Sequence, residues 1–151
     1  MMTGSQQGTE GWLLERLGSV TGSRFVDIIA MDKSGKKFLK SRETAITEIT
    51  LELLTGSPGA MWTSKATNWG KEHEPHARLA YEQETGEICR EVGFIRHPHH
   101  MQVGCSPDGL IGEDGGIEIK SPQPHAHLAS STFPWSGAVV AFASRCFLCR
   151  R

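Results

Sequence analysis

Long apolar runs are missing from this sequence. No stretch is long enough to cross a bilayer, and residues 1–10 are polar, without the apolar segment of a secretory signal. Membrane-spanning and secreted classes therefore drop out, and the cytoplasm is the expected compartment. An excess of charge of one sign is missing too. The net charge is −1, so no bulk positive field announces a nucleic-acid partner, and any contact with DNA has to come from a local basic patch. Cysteines are few. Cys89, Cys105, Cys146 and Cys149 are spaced too irregularly for the framework of a small disulfide-stapled domain. What remains is a chain of 151 residues with 38% hydrophobic content, enough for one domain with a core.

The most informative stretch is residues 104–120. Its second half alternates: Ile117 and Ile119 belong to one face of a strand, Glu118 and Lys120 to the other. Before it, residues 112–116 carry turn chemistry, with Asp114-Gly115 as the expected tight point of a hairpin. Such a hairpin folds Asp108 back towards Glu118, so two carboxylates and a lysine converge at one strand edge. Mg²⁺ favours oxygen ligands and needs only one or two protein carboxylates when substrate phosphates and water complete its shell. Asp108 and Glu118 are the candidate carboxylates, with the backbone carbonyl of Ile119 as a further ligand. The Lys120 amine is placed to hold the attacking water or to steady charge on phosphorus. Without more context, the same pattern also fits an exposed hairpin with ordinary charges on its wet face.

The rest of the chain supplies helices first and strands after them, which indicates a mixed α/β domain. Residues 1–8 read as a flexible lead. Trp12, Leu13 and Leu17 suit a short helix closed by Gly18, and Thr21 or Ser23 caps a second helix with Phe25, Val26, Ile28 and Ile29. A helix start attracts anions, so Arg16 with Ser19, Thr21 and Ser23 is a candidate phosphate grip. Residues 32–42 hold Lys33, Lys36, Lys37, Lys40 and Arg42 against Asp32 alone; this basic run suits a DNA backbone or simply a solvated loop. A helix over 43–54 has Ile46, Ile49, Thr50, Leu53 and Leu54 as its apolar stripe. A longer helix follows over 69–85, capped by Thr67 or Asn68 and closed by Gly86, with Trp69, His76, Ala77 and Ala80 on one face. Spacing alone pairs its Glu74 with Arg78 on the solvent side; the alternative is a third carboxylate for a metal site. Residues 87–96 read as a strand, and His97 to His100 as a solvated turn.

Pro107-Asp108, a spacer and Glu118-Ile119-Lys120 resemble the signature of the PD-(D/E)xK nuclease superfamily. Four ordered blocks resemble the lambda-type phage exonucleases, also called YqaJ-type viral recombinases. They are residues 12–23 (Trp-x-x-x-Arg-Leu-Gly-x-x-Thr-Gly-Ser), 69–78 (Trp-Gly-x-x-x-Glu-x-x-Ala-Arg), 105–110 (Cys-Ser-Pro-Asp-Gly-Leu) and 116–122 (Gly-Ile-Glu-Ile-Lys-Ser-Pro). The resemblance covers residues 11–128. It implies a restriction-endonuclease-like α/β core with N-terminal helices and a central mixed sheet. It further implies Mg²⁺ dependence, with Mn²⁺ as a substitute, and 5′-to-3′ digestion of one strand of linear duplex DNA. Position by position, Asp108, Glu118 and Glu74 fall on the metal-binding acids, and Lys120 on the catalytic lysine. Arg16 falls on the anchor of the terminal 5′-phosphate, with Ser23 beside it. A single-strand annealing protein and a ring-shaped homo-oligomer are the partners it implies.

Beyond residue 128 the pattern departs. Residues 129–151 do not resemble the glutamine-bearing helix that follows in the family, and they read as a shifted frame or a shortened end. Two other readings stand beside the nuclease. One is a small zinc module with Cys146, Cys149, His125 and His127 as ligands; the other is a shortened chain that binds DNA ends without cutting them.

Overall fold

The computed structural model describes residues 4–59, 64–121 and 123, together with the backbone of Val140–Arg145. Among the described residues the helices are α1 (Glu10–Glu15), α2 (Gly22–Ile29), α3 (Lys40–Thr55) and α4 (Lys65–Thr85). The strands are β1 (Cys89–Arg90), β2 (Ile95–Arg96), β3 (Gly104–Cys105), β4 (Gly109–Ile111), β5 (Gly115–Lys120) and β6 (Val140–Arg145). The α/β class expected from the sequence is what is found. The strand pairings are all antiparallel, with one isolated parallel bridge between Val20 and Val103. Among the described residues no helix is long and apolar enough to cross a membrane. The chain divides into two compact units, Met1–Ala60 with Val92–Ser106, and Met61–Glu91 with Pro107–Arg151.

The first unit holds α1, α2, α3 and the β2–β3 pair. Thr9 caps α1 by accepting the Trp12 N–H at 3.3 Å. Gly18, at φ +67°, turns the chain out of α1; a Cβ there would also collide with the side chain of Leu53. Two residues of the lead make hydrogen bonds to the rest of this unit. Ser5 donates twice to Glu15 Oε1, at 2.9 Å and 2.7 Å, and Gln7 donates to the Val92 carbonyl at 3.0 Å. Helix α3 packs on α2, but not through the stripe its apolar residues suggest. Leu53 and Leu54 are exposed, at 60% and 78%. The inward face is Ala45, Ile49 and Glu52, an i, i+4, i+7 series, because Glu52 is drawn inward by the hydrogen bonds described below.

The second unit holds α4 and a four-stranded sheet in the order β1-β4-β5-β6. Ser64, not Thr67 or Asn68, caps α4 by accepting the Thr67 N–H at 3.1 Å, and Gly86 closes it at φ +73°. The strand expected over 87–96 breaks in two. Its halves β1 and β2 join different sheets, and Gly93 between them lies so close to the Ser5 carbonyl that no side chain fits. The expected alternation of β5 holds: Ile117 and Ile119 are buried, while Glu118 and Lys120 face out. The hairpin turns at Gly112, φ +58°, and Gly115 already belongs to β5, paired with Ile111. The tight point is therefore two residues earlier than the Asp-Gly pair suggested. Ile117 and Ile119 pack with Ala77 of α4 and Cys89 of β1, flanked by Tyr81 and Ile111.

Gly109 begins β4 beside Asp108, and a Cβ on it would run into the Cys89 sulfur. Gly109→Ala should destabilise the chain by about 1–3 kcal/mol, the usual cost of overpacking. Urea unfolding monitored by tryptophan fluorescence measures this, and Cys89→Ala in the same chain should recover part of the loss.

Candidate active site

Asp108 is set by the hairpin. Its backbone N–H donates to the Ile117 carbonyl at 3.1 Å, and its Oδ2 accepts the Ile119 N–H at 2.5 Å. The carboxylate thus caps the edge of β5 where β4 has ended. In an extended strand a residue's N–H and C=O project to the same edge, so the Ile119 carbonyl faces the edge on which Asp108 lies. On the outer face of β5, Lys120 Nζ is ion-paired with Glu118 Oε1, and both side chains are at least half exposed. Helix α4 packs on β5 and brings in Glu74. Its inward residues are His73, Glu74, Ala77 and Tyr81, so His76 and Ala80, expected on the buried face, lie outside.

The electrostatics tie these groups together. Burial pushes the Asp108 carboxyl above its ordinary range, and the Glu118 charge adds to that; the Ile119 N–H, Lys120 and Arg78 pull the other way. Burial likewise pushes Glu74 up, and the Asp108 carboxylate pushes it further. Glu74 also accepts from Arg78 Nη2 at 2.8 Å, while Arg78 Nη1 pairs with Glu91. Glu74 makes the i, i+4 pair expected from its spacing, and it also feels the Asp108 charge. Arg78 Nε is buried without a hydrogen-bond partner among the described residues.

Among the described residues, no three His, Cys, Asp or Glu side chains already surround one point as a metal cage would. The donor chemistry nevertheless suits a hard cation. Of two half-buried carboxylates, Asp108 raises the cost of ionising Glu74, and a divalent ion would relieve that repulsion. An Mg²⁺ that keeps its waters needs no more carboxylates than these.

In the first unit, Arg16 follows α1 and lies over the Trp12 ring, 4.3 Å from its centroid, while Trp12 Nε1 donates to Ser106 at 2.9 Å. Arg16 is half-buried and has no ion pair among the described residues. Burial, and next the nearby Arg24 cation, lower its affinity for a proton. Thr21 is the N-cap of α2 but makes no side-chain capping bond; its hydroxyl lies 3.1 Å from that of the exposed Ser23. Ser19 leaves the candidate phosphate grip, because it is fully buried and its Oγ accepts from Arg96 Nη1 at 3.2 Å.

The basic run resolves into a turn organised by Asp32, which accepts from the Ser34 hydroxyl at 2.8 Å and the Lys36 N–H at 3.0 Å. Its lysines are exposed. Arg42 is not part of that free charge, since it stacks on Phe38 and donates to the Ile28 carbonyl at 3.2 Å. His97 Nδ1 accepts the N–H groups of His99 and His100 at 3.1 Å and 3.2 Å, so this segment is a self-bonded turn. His125, His127, Cys146 and Cys149 lie outside the described residues.

Sequence reasoning missed Glu52 and Arg24. The Glu52 carboxylate accepts both Arg24 Nη groups, one at 3.0 Å, and the Gly18 N–H at 2.9 Å. Its one sequence signal is the period of Ala45, Ile49 and Glu52, which a search for apolar residues passes over. The Arg24 hydrogen bonds hold its carboxyl below the ordinary range. A depressed folded-state pKa adds stability above the unfolded value, about 4.3, and loses it as pH falls through the folded value. Unfolding free energy should therefore fall on acidification below about pH 4.5, and Glu52→Gln should remove part of that slope. Urea titrations at several pH values measure it.

Residues 11–139 match the model of the YqaJ-like viral recombinase domain, and the chain belongs to that family. The match runs past residue 128, where the resemblance read from the motifs stops. Two solved structures are similar: an alkaline exonuclease, LHK-Exo, from Laribacter hongkongensis (43% identity, TM-score 0.69), and LHK-Exo in complex with dAMP (42% identity, TM-score 0.70). In each case the alignment covers 81% of this chain but only 58% of the other. Among curated protein sequences none matches the chain.

Proposed function

We propose that the chain is the metal-binding and catalytic part of an exonuclease that digests one strand of linear duplex DNA, 5′-to-3′, using Mg²⁺. The observation that carries this reading is the hairpin edge where Asp108 is fixed by the Ile119 N–H beside the Glu118–Lys120 pair, with Glu74 electrostatically coupled to it. Asp108, Glu74 and the Ile119 carbonyl would hold the ion, and Glu118 would join them by leaving Lys120. When bound, the ion supplies Lewis-acid activation of the phosphodiester and lowers the pKa of water. Lys120, once released from Glu118, holds the attacking water or neutralises charge on the phosphoryl oxygens. Arg16 and Ser23, with Thr21 behind them, would receive the terminal 5′-phosphate. A single-strand annealing protein that takes up the exposed strand, and a ring-shaped homo-oligomer, complete the proposal on family membership alone.

Linear and covalently closed circular duplexes, each with Mg²⁺ or EDTA, provide the test. The expected result is acid-soluble nucleotide from the linear form only, in Mg²⁺ only, with a 5′-end label released first. Retention of DNA without degradation in Mg²⁺ would instead identify an end-binding protein that does not cut.

A further inference from the structure

The turn between α1 and α2 carries Arg16 and leads into Thr21 and Ser23, and three charged side chains hold it: buried Glu52, half-buried Arg24 and exposed Arg96. From α3, Glu52 takes the Gly18 N–H at 2.9 Å. From α2, Arg24 donates to the Ser19 carbonyl at 3.3 Å, while its guanidinium is bound to Glu52 in bidentate fashion. From β2, Arg96 donates to the Ser19 hydroxyl, to the Glu15 carbonyl and to the Met101 carbonyl. This is far more than a solvent-exposed turn needs. The charges are also unevenly matched. The Arg24 cation opposes the charge on Arg16, and the Glu52 carboxylate is committed to Arg24.

We propose that Glu52 is a positioning residue for an anion site at Arg16. It neutralises Arg24 and fixes the Gly18 amide, so that Arg16 stands on a rigid turn as the one guanidinium left for a terminal phosphate. This rests on the reading of Arg16 as the phosphate anchor. A buried charge pair is weak support for stability in itself. Here it has a second use, since it decides which of two neighbouring arginines meets the ligand. Without the Glu52 charge, Arg24 is no longer held and the turn loses two of its ties.

The experiment measures binding of fluorescent linear duplexes that differ only in a 5′-phosphate or a 5′-hydroxyl. The full chain is used in EDTA, so that no cleavage intervenes. For the unmodified chain the phosphate end should bind tighter. In Glu52→Gln the ratio of the two affinities should fall about tenfold, the scale of one charge-assisted hydrogen bond. A purely structural role would weaken both ends in parallel with the loss of folded protein, which thermal unfolding of the same samples reports. If Glu52→Gln does not fold, the double variant Arg24→Met/Glu52→Met replaces the buried pair by apolar groups of similar size, an exchange proteins often tolerate. In it the competing Arg24 guanidinium is gone as well, so the ratio should still fall, through loss of the Gly18 tie, while the chain remains folded. A folded variant with an unchanged or increased ratio overturns the proposal. A ratio lost in Arg16→Ala but kept in the Glu52 variants defeats the Glu52 role alone. An unmodified chain without any preference for the phosphate end defeats the Arg16 reading and this one together.

Discussion

Lys120→Ala should lower release of nucleotides from linear duplex DNA by about 10²- to 10⁴-fold, the range for losing a positioned acid–base or charge-stabilising group. The loss should appear in kcat. Lys120 is exposed and touches Glu118 on the same strand, so an ordinary surface lysine there would be dispensable. Its removal should cost no stability beyond a few tenths of a kcal/mol, because exposed pairs contribute little. Mg²⁺ binding should survive or strengthen, since the Glu118 carboxylate is freed. Steady-state kinetics on a uniformly labelled duplex, with urea unfolding as the control, measure both. Retained activity with an unchanged Mg²⁺ requirement would remove Lys120 from the chemistry.

Arg16→Ala should slow digestion of 5′-phosphorylated ends by about ten- to a hundredfold, while 5′-hydroxyl ends change much less. A hydrogen-bonded guanidinium–phosphate contact is of this size. The half-buried position of Arg16 over Trp12 argues that the side chain is ordered before a ligand arrives, so little entropy is lost on binding. Initial rates on the two kinds of end, compared as a ratio, give the answer. Equal slowing of both ends would make Arg16 a packing partner of Trp12 only.

Where sequence and structure agree, a short-range rule was enough. The period-2 pattern of β5 placed Ile117 and Ile119 inside and Glu118 and Lys120 outside, and a turn of glycines folded Asp108 back onto that strand. Helix α4 ends at Gly86 as its sequence indicates. Where they part, long-range partners decided. The apolar stripe of α3 lost to a buried acid, because Glu52 finds Arg24 and the Gly18 amide. Residues 87–96 have strand-like composition, yet Gly93 is fixed against the Ser5 carbonyl of the lead and the strand breaks there. Glu74 shows why spacing was insufficient. Arg78 four residues on satisfies the pair, but only tertiary packing brings the Asp108 charge to bear on the same carboxylate.

The most direct test of the carboxylate centre is the Mg²⁺ dependence of thermal unfolding, for the unmodified chain and for Asp108→Asn. Without Mg²⁺, Asp108 carries a charge that its half-buried site disfavours. The neutral amide should therefore be as stable as the carboxylate or more so. With increasing Mg²⁺, the unmodified chain should gain stability in proportion to the logarithm of free ion above its Kd, while Asp108→Asn should gain none and release no nucleotides from DNA. Equal Mg²⁺ stabilisation of both chains, or undiminished digestion by Asp108→Asn, would contradict a metal-dependent nuclease centre at this strand edge.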